Sequence, residues 1–149
     1  MTSNELEEGV RVSADSTAPM VANIRAGAQD MVMDETSVLT GMKIGPDPYD
    51  YILSALGACT VITLHMYAQR KGWPLQRAEV ILRHGRVHSK DCENCEDDVS
   101  KLTQVTKQLR LVGDLTPDQR KRLKLISTKC PVQKTLEAGI LIVTEMEEV

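Results

Sequence analysis

The first third of the chain alternates between apolar and polar residues in short stretches, a pattern that predicts β-strands. The alternating stretches lie at residues 10–12 and 20–25, and a third short run, at 31–33, is apolar throughout. A turn-like sequence rich in Asp, Ser, Thr and Pro separates the first two stretches, so we expect them to pair. Residues 34–47 contain two glycines and a proline and are predicted to be a loop.

The next stretch, residues 48–71, is predicted to be a long helix because its two ends carry start and stop signals. Asp47 can cap the free backbone N–H groups, a proline occupies the first helical position, and Asp50 completes a variant of the capping box three residues later. At the other end, Lys71 lies in the last turn and Gly72 can adopt the left-handed conformation that ends a helix.

Apolar residues cover nearly every face of this helix, and a helix of that kind is expected to be buried on all sides. The apolar residues are Ile52, Leu53, Leu56, Val61, Ile62, Leu64 and Met66. The middle of the helix is thin because five of its residues are small: Ser54, Ala55, Gly57, Ala58 and Thr60. One sheet covers only one side, so we predict that a second helix packs here, with the same helix of a second copy as one candidate.

The second half of the chain predicts two strands followed by two helices and a final strand. Residues 75–87 and 101–112 alternate in polarity and are joined by a polar loop at 87–100. The middle of the second stretch would also tolerate a helix. Thr116, followed three residues later by Gln119, is a second capping box. Cys130 and the proline after it begin a short helix that ends before Gly139, and residues 140–146 are predicted to form the last strand.

This order of elements predicts an α+β fold in one domain spanning residues 1–149, with the polar residues 1–8 disordered. The chain has 149 residues, 42% of them hydrophobic, which is enough for one core. A net charge of -3 and the absence of a basic stripe argue against a nucleic-acid binder. We also find neither a signal-peptide pattern nor an apolar run that approaches the ~18 residues of a membrane span. We therefore expect a cytoplasmic protein with no membrane partner.

Four cysteines, Cys59, Cys92, Cys95 and Cys130, are too few for a disulfide framework at this length and are expected to be catalytic, metal-binding or simply buried. Cys130 is predicted to lie at a helix N-terminus after a lysine, where the helix dipole and the cation favour a thiolate. Cys59 is predicted to lie in the middle of an apolar helix, where burial favours the neutral thiol. A reactive Cys59 therefore needs a nearby cation.

A second group of candidate ligands has the spacing H-x3-H-x3-C-x2-C and consists of His84, His88, Cys92 and Cys95. Such a set can bind zinc, because a C-x2-C turn presents two sulfurs to one metal ion. However, the two histidines would be ~13 Å apart on an extended strand, which is unlike an ordinary zinc site. A redox pair of cysteines and an ordinary polar loop are the alternatives, and we assign no metal and no cofactor.

Three motifs resemble the OsmC/Ohr family of thiol-dependent peroxidases: GPDPYD at 45–50, ALGACT at 55–60, and KCPV at 129–132 with Thr-Leu following at 135–136. The resemblance implies an intertwined homodimer in which two long central helices pack back to back inside antiparallel sheets. It also implies that Cys59 attacks an organic hydroperoxide, with hydrogen peroxide as a further candidate substrate. Cys130 would then form a disulfide with Cys59, which a small thiol or a lipoyl-type dithiol would reduce.

In that family an arginine from the N-terminal region and a glutamate after the motif proline hold the thiolate. Arg25 is our candidate for the arginine, with Arg11 second. Tyr49 stands where the glutamate is expected, and the nearest acid is Asp50. On an ideal helix Asp50 and Cys59 are separated by about 900° of rotation and roughly 13 Å, so they cannot touch within one helix. Asp50 acts on the site through an arginine, a second subunit or a bent helix entry, or it is only a capping residue.

A further departure is Gln133, at a position where relatives often have a histidine, so the resemblance supplies no histidine base beside Cys130. The expected function is a cysteine-based peroxidase. The alternative is a non-catalytic or zinc-binding protein of the same fold that uses His84, His88, Cys92 and Cys95.

Overall fold

A computed structural model describes residues 9–88 and 101–147, without the side chains of 86–88 and 101–102. The described chain forms two compact units, residues Met1–Ile52 and Leu53–Val149. The predicted disorder of residues 1–8 and most of the predicted loop at 87–100 lie outside the described residues.

The first unit contains a three-stranded antiparallel sheet. Its strands are β1 (Val10–Ser13), β2 (Val21–Ala26) and β3 (Gln29–Asp34), in the order β1-β2-β3. The predicted pairing of the first two strands is confirmed, and β3 forms at the third apolar run. A short helix, α1 (Ser37–Thr40), follows where we predicted only loop. The reason is local, because Asp34 Oδ1 accepts a hydrogen bond from the backbone N–H of Thr36 at 2.8 Å and turns the chain into the helix.

The long helix α2 (Pro48–Lys71) has the predicted bounds. It starts with the predicted variant of the capping box, in which the backbone N–H of Asp50 donates to Asp47 Oδ1 at 2.8 Å and the backbone N–H of Asp47 donates to Asp50 Oδ2 at 3.0 Å. Gly72, with φ of 69°, ends it. Local capping chemistry is therefore sufficient to fix both ends of this helix.

Among the described residues of a single copy, α2 buries one face, so burial on all sides, which we expect from a second helix, stays a prediction. The buried residues are Leu53, Leu56, Gly57, Thr60, Leu64, Tyr67 and Ala68. On the opposite face, Ile62 is 58% exposed and Met66 is 66% exposed. The physical reason is that one two-stranded sheet covers one side of a cylinder. A second helix on the open face stays a prediction.

The same helix also corrects our expectation about membrane spans. An 18-residue window of α2 has a mean hydropathy of 1.4, which is long and apolar enough to cross a bilayer. The core helix of a soluble protein meets the same criterion, so this finding by itself assigns no membrane.

The second unit packs a hairpin and two helices around the C-terminal part of α2. Strands β4 (Leu75–His88) and β5 (Lys101–Gly113) are antiparallel, and α3 (Pro117–Ser127) and α4 (Pro131–Ala138) follow. Both strands and both helix starts confirm the prediction, including the capping box at the start of α3. The core consists of Leu64, Tyr67, Ala68, Leu115, Leu123 and Ile126.

The predicted final strand at 140–146 is wrong, because no strand forms in this stretch of the chain. Its apolar residues are open, and Leu141 is 91% exposed. A run of apolar and β-branched residues gives a strand only where a neighbouring strand accepts its backbone hydrogen bonds. The α+β class with antiparallel sheets and one long helix is confirmed, while the intertwined homodimer stays a prediction.

Candidate functional site

Cys130 occupies the N-cap position of α4. Its backbone is extended, with φ of -64° and ψ of 141°, and its sulfur accepts a hydrogen bond from the backbone N–H of Gln133 at 3.4 Å. Ser, Thr, Asp or Asn usually supplies the capping acceptor, and here the sulfur does so. The residue is fully buried, with 0% of its surface exposed. The positive end of α4 therefore points at this sulfur, as the sequence predicts.

Cys59 lies at the middle of α2 and is half-buried. It lies on the open face of the helix, because it comes four residues after Ala55 and three residues before Ile62. Thr60, one residue later, points into the core and is fully buried. The Oγ1 atom of Thr60 lies 3.7 Å from the sulfur of Cys130. The structure thus brings the Cys130 sulfur against the residue adjacent to Cys59, and both cysteines are free thiols.

Lys107 of β5 joins these segments, and the sequence analysis missed it. Its ammonium donates to Thr60 Oγ1 at 3.0 Å and to the backbone carbonyl of Ser127 at 2.7 Å. Ser127 is the last residue of α3, where carbonyl groups lack intrahelical partners and the dipole favours a cation. An ammonium has three donors, so these two bonds leave one N–H.

The charge of Lys107 interacts with both thiols. Burial lowers the pKa of Lys107, and electrostatic attraction by Cys130, Cys59 and Glu137 acts in the opposite direction. A signal for this residue existed in the sequence. Lys107 lies in phase with Val105, Leu109 and Leu111 on the apolar face of β5, and a lysine at such a position needs a polar partner inside.

A cavity of about 350 Å³ lies beside Lys107. It is lined by Leu56, Thr103, Val105, Lys107, Gln133, Leu136 and Glu137. Gln133 Nε2 donates to Glu137 Oε1 at 2.6 Å, and within the described residues the buried Oε1 of Gln133 has no hydrogen-bond partner. The mixture of aliphatic walls and polar groups suits a small, mainly apolar organic molecule with an oxygen-containing end.

Arg25 and Asp50, the other predicted site residues, belong to the first unit. The Nη1 atom of Arg25 donates to both carboxylate oxygens of the exposed Asp30, at 2.9 Å each. Asp50 caps α2 and also pairs with Lys43, and the hydrogen bond to Asp50 raises the pKa of Lys43. The capping role of Asp50 is confirmed. A role for either residue at the thiols stays a prediction.

The predicted zinc ligands lie mostly outside the described residues. His84 lies on β4, whereas Cys92, Cys95 and the side chain of His88 lie outside the described residues. Zinc binding therefore remains a prediction.

The family model and the solved structures that match this chain agree on one family. The family model described as OsmC-like protein matches residues 40–145. The crystal structure of an OsmC-like protein from Mycoplasma pneumoniae has a TM-score of 0.68 at 17% identity, covering 87% of this chain and 86% of that chain. No curated protein matches the sequence.

Two further structures carry a functional name. The organic hydroperoxide resistance protein OhrB of Bacillus subtilis has a TM-score of 0.57 at 16% identity, covering 85% of this chain and 87% of that chain. The organic hydroperoxide resistance protein OsmC from Legionella pneumophila has a TM-score of 0.60 at 12% identity, covering 85% of this chain and 88% of that chain. At these identities the likeness establishes the fold.

Proposed function

This chain belongs to the OsmC family, and from that premise we propose that it is a cysteine-based peroxidase that reduces organic hydroperoxides to alcohols. One observation carries the proposal: the sulfur of Cys130 lies against Thr60, the residue next to Cys59, and the Lys107 ammonium donates to the Thr60 hydroxyl. Two relatives of similar fold are named organic hydroperoxide resistance proteins, which agrees with this chemistry.

In the first step, the Cys59 thiolate attacks the terminal oxygen of the hydroperoxide. The S–O bond forms as the O–O bond breaks, so the sulfur loses two electrons and becomes a sulfenic acid. The leaving alkoxide takes a proton and departs as the alcohol. Cys59 is suited to meet the substrate because it is half-buried, whereas Cys130 is fully enclosed.

In the second step, Cys130 attacks the sulfur of the Cys59 sulfenic acid. The S–S bond forms, the S–O bond breaks, and hydroxide leaves as water after taking a proton. A small thiol or a lipoyl-type dithiol then reduces the disulfide through a mixed-disulfide intermediate and restores both thiols. The dithiol is oxidised to its own disulfide, so the electrons that reduce the hydroperoxide come from it.

The cavity beside Lys107 favours an organic substrate over hydrogen peroxide alone, because the aliphatic side chains of Leu56, Val105 and Leu136 line it. We further propose that the protein acts as a cytoplasmic homodimer. The open apolar face of α2 and the exposed residues 140–146 are the surfaces that a second copy would cover. Arg25 and Asp50 are retained as proposed partners of the Cys59 thiolate.

Intact mass after one equivalent of cumene hydroperoxide tests the function. We expect the reduced protein to lose two hydrogens as the disulfide forms. The loss should disappear in Cys59→Ser and in Cys130→Ser, and Cys130→Ser should instead yield a sulfenic acid that dimedone traps. The Cys92→Ser/Cys95→Ser protein is the matched control and should react like the wild type. A wild-type mass that hydroperoxide leaves unchanged would contradict the proposal.

A further inference from the structure

The hydrogen bonds around Cys130 form a chain that starts on a cation. Lys107 donates to Thr60 Oγ1 at 3.0 Å, and Thr60 Oγ1 lies 3.7 Å from the Cys130 sulfur. We propose that Lys107 is a positioning residue that acts through the Thr60 hydroxyl to hold Cys130 as the thiolate that resolves the Cys59 sulfenic acid. The inference rests on the proposed function and assigns roles to two residues that the family resemblance did not supply.

The Thr60 hydroxyl has one hydrogen and two acceptors within reach. It donates to the backbone carbonyl of Leu56 at 2.8 Å, and the Cys130 sulfur lies on its other side at 3.7 Å. The Leu56 carbonyl also lies in the hydrogen-bonded body of α2, so it keeps a backbone donor when the hydroxyl turns away. A negative charge on Cys130 is therefore expected to draw the Thr60 hydrogen, because hydrogen bonds to an ion are the stronger ones.

Lys107 makes this rotation favourable. Its ammonium occupies a lone pair of Thr60 Oγ1, which polarises the hydroxyl toward the sulfur. The Ser127 carbonyl fixes the ammonium at the C-terminal end of α3, so the cation is held there by a hydrogen bond to a neutral acceptor. The titratable groups that face Lys107 are Cys130, Cys59 and Glu137, and attraction by all three favours its charged form.

Cys130 also has a second donor. The backbone N–H of Gln133 points at its sulfur at 3.4 Å, at the positive end of α4. One donor comes from a helix terminus and the other from a side chain that a lysine holds. A fully buried thiolate requires such compensation, since burial alone favours the neutral thiol.

The chemical step balances without another reagent. Cys130 loses its thiol proton on ionisation, attacks the Cys59 sulfur, and forms the S–S bond as hydroxide leaves. The hydroxide takes one proton, which equals the proton that Cys130 released. The Cys130 sulfur is oxidised and the Cys59 sulfur is reduced from its sulfenic state. Lys107 keeps its proton throughout and contributes only its charge and its hydrogen bond.

Pre-steady-state kinetics with cumene hydroperoxide test the inference, because the two steps can be followed separately. Dimedone trapping and mass spectrometry report Cys59 sulfenic acid, and loss of free thiol reports the disulfide. In Lys107→Met we expect disulfide formation to slow by roughly tenfold to a hundredfold, the range for one hydrogen bond of a charged group. Sulfenic acid should therefore accumulate. Lys107→Arg should restore most of the rate of disulfide formation. The control is Arg110→Met, which removes an exposed cation from the same strand and should form the disulfide at the wild-type rate.

A double-mutant cycle separates positioning through Thr60 from a merely structural effect. Thr60→Val should slow disulfide formation by a factor similar to that of Lys107→Met, and the double variant should be no slower than the slower single one. Thr60→Ser should keep the wild-type rate, and it remains informative if Lys107→Met fails to fold. Multiplying effects, or equal resolution rates in Lys107→Met and the wild type, would overturn the inference while leaving the peroxidase function intact. A wild type that forms no sulfenic acid would overturn both.

Discussion

Replacement of Thr60 by valine gives the sharpest test of how the site contributes to stability. Valine has nearly the same shape as threonine and nearly the same helix propensity, so packing and helix formation change little. What disappears is the acceptor of the Lys107 ammonium in a fully buried position. Hydrogen bonds of charged groups contribute about 1.5–3 kcal/mol, and Lys107 is half-buried, so water replaces part of the loss. We therefore expect the free energy of unfolding to fall by about 1.5–2 kcal/mol.

The matched control is Thr60→Ser, which keeps the hydroxyl and removes one buried methyl group. Its expected cost is about 1 kcal/mol, from lost apolar burial and the small cavity left behind. Both variants and the wild type should be unfolded in urea at one protein concentration under reducing conditions, with unchanged slopes showing that the unfolded states are comparable. A valine variant within about 0.5 kcal/mol of the wild type, or a serine variant less stable than the valine one, would refute the reasoning.

Three further predictions follow from packing and charge. Gly57→Val should destabilise the protein by about 1–3 kcal/mol, because a Cβ there lies 2.8 Å from Leu82 Cδ1. Gly57→Ala should cost less, since alanine regains up to about 1 kcal/mol of helix propensity. Equal urea midpoints for the two variants would contradict this prediction. Leu123→Ala should lower the free energy of unfolding by about 2–5 kcal/mol in the same assay, because the Leu123 side chain is fully buried in the core. A decrease below about 1 kcal/mol would show that the core is misassigned. The lowered pKa of Lys107 predicts that its contribution to stability rises as the pH increases from the folded-state pKa toward the ordinary value of 10.5, because the unfolded chain then binds more protons. Wild type minus Lys107→Met should show this slope in alkaline urea titrations, and a difference that falls with pH would contradict it.

Most of the fold follows from signals that act over a few residues. Both ends of α2 are set by caps, Asp47 at the start and Gly72 at the end, and the capping box of α3 works in the same way. Alternation locates the strands because each has a neighbour in the same chain. Where the outcome depends on a distant partner, the sequence misleads, as in the stretch 140–146, which is apolar and β-branched like a strand but pairs with no strand among the described residues.

The same distinction between local signals and distant contacts holds for the residues of the site. The cysteines and the helix start at Cys130 were predictable, since the motifs and the N-terminal proline are contiguous in the sequence. The role of Lys107 was not predictable in the same way, because it depends on three elements that meet only in the folded chain: β5, α2 and the end of α3. Its one local trace is a charge on the apolar face of a strand. A buried charge that interrupts an apolar alternation is therefore as informative as a motif.

The capping role of the Cys130 sulfur links the stability of a helix to the energetics of electron transfer. Reduced Cys130 accepts the Gln133 N–H that begins α4, and a sulfur drawn into a disulfide is a weaker acceptor that must also meet the geometry of its new bond. Each interaction that favours the reduced sulfur over the disulfide raises the reduction potential of the pair, in the same way as a stabilised thiolate does. If Cys130 forms the disulfide with Cys59 that we propose, the first turn of α4 biases that pair toward the dithiol form and lowers the reducing power that a recycling thiol needs.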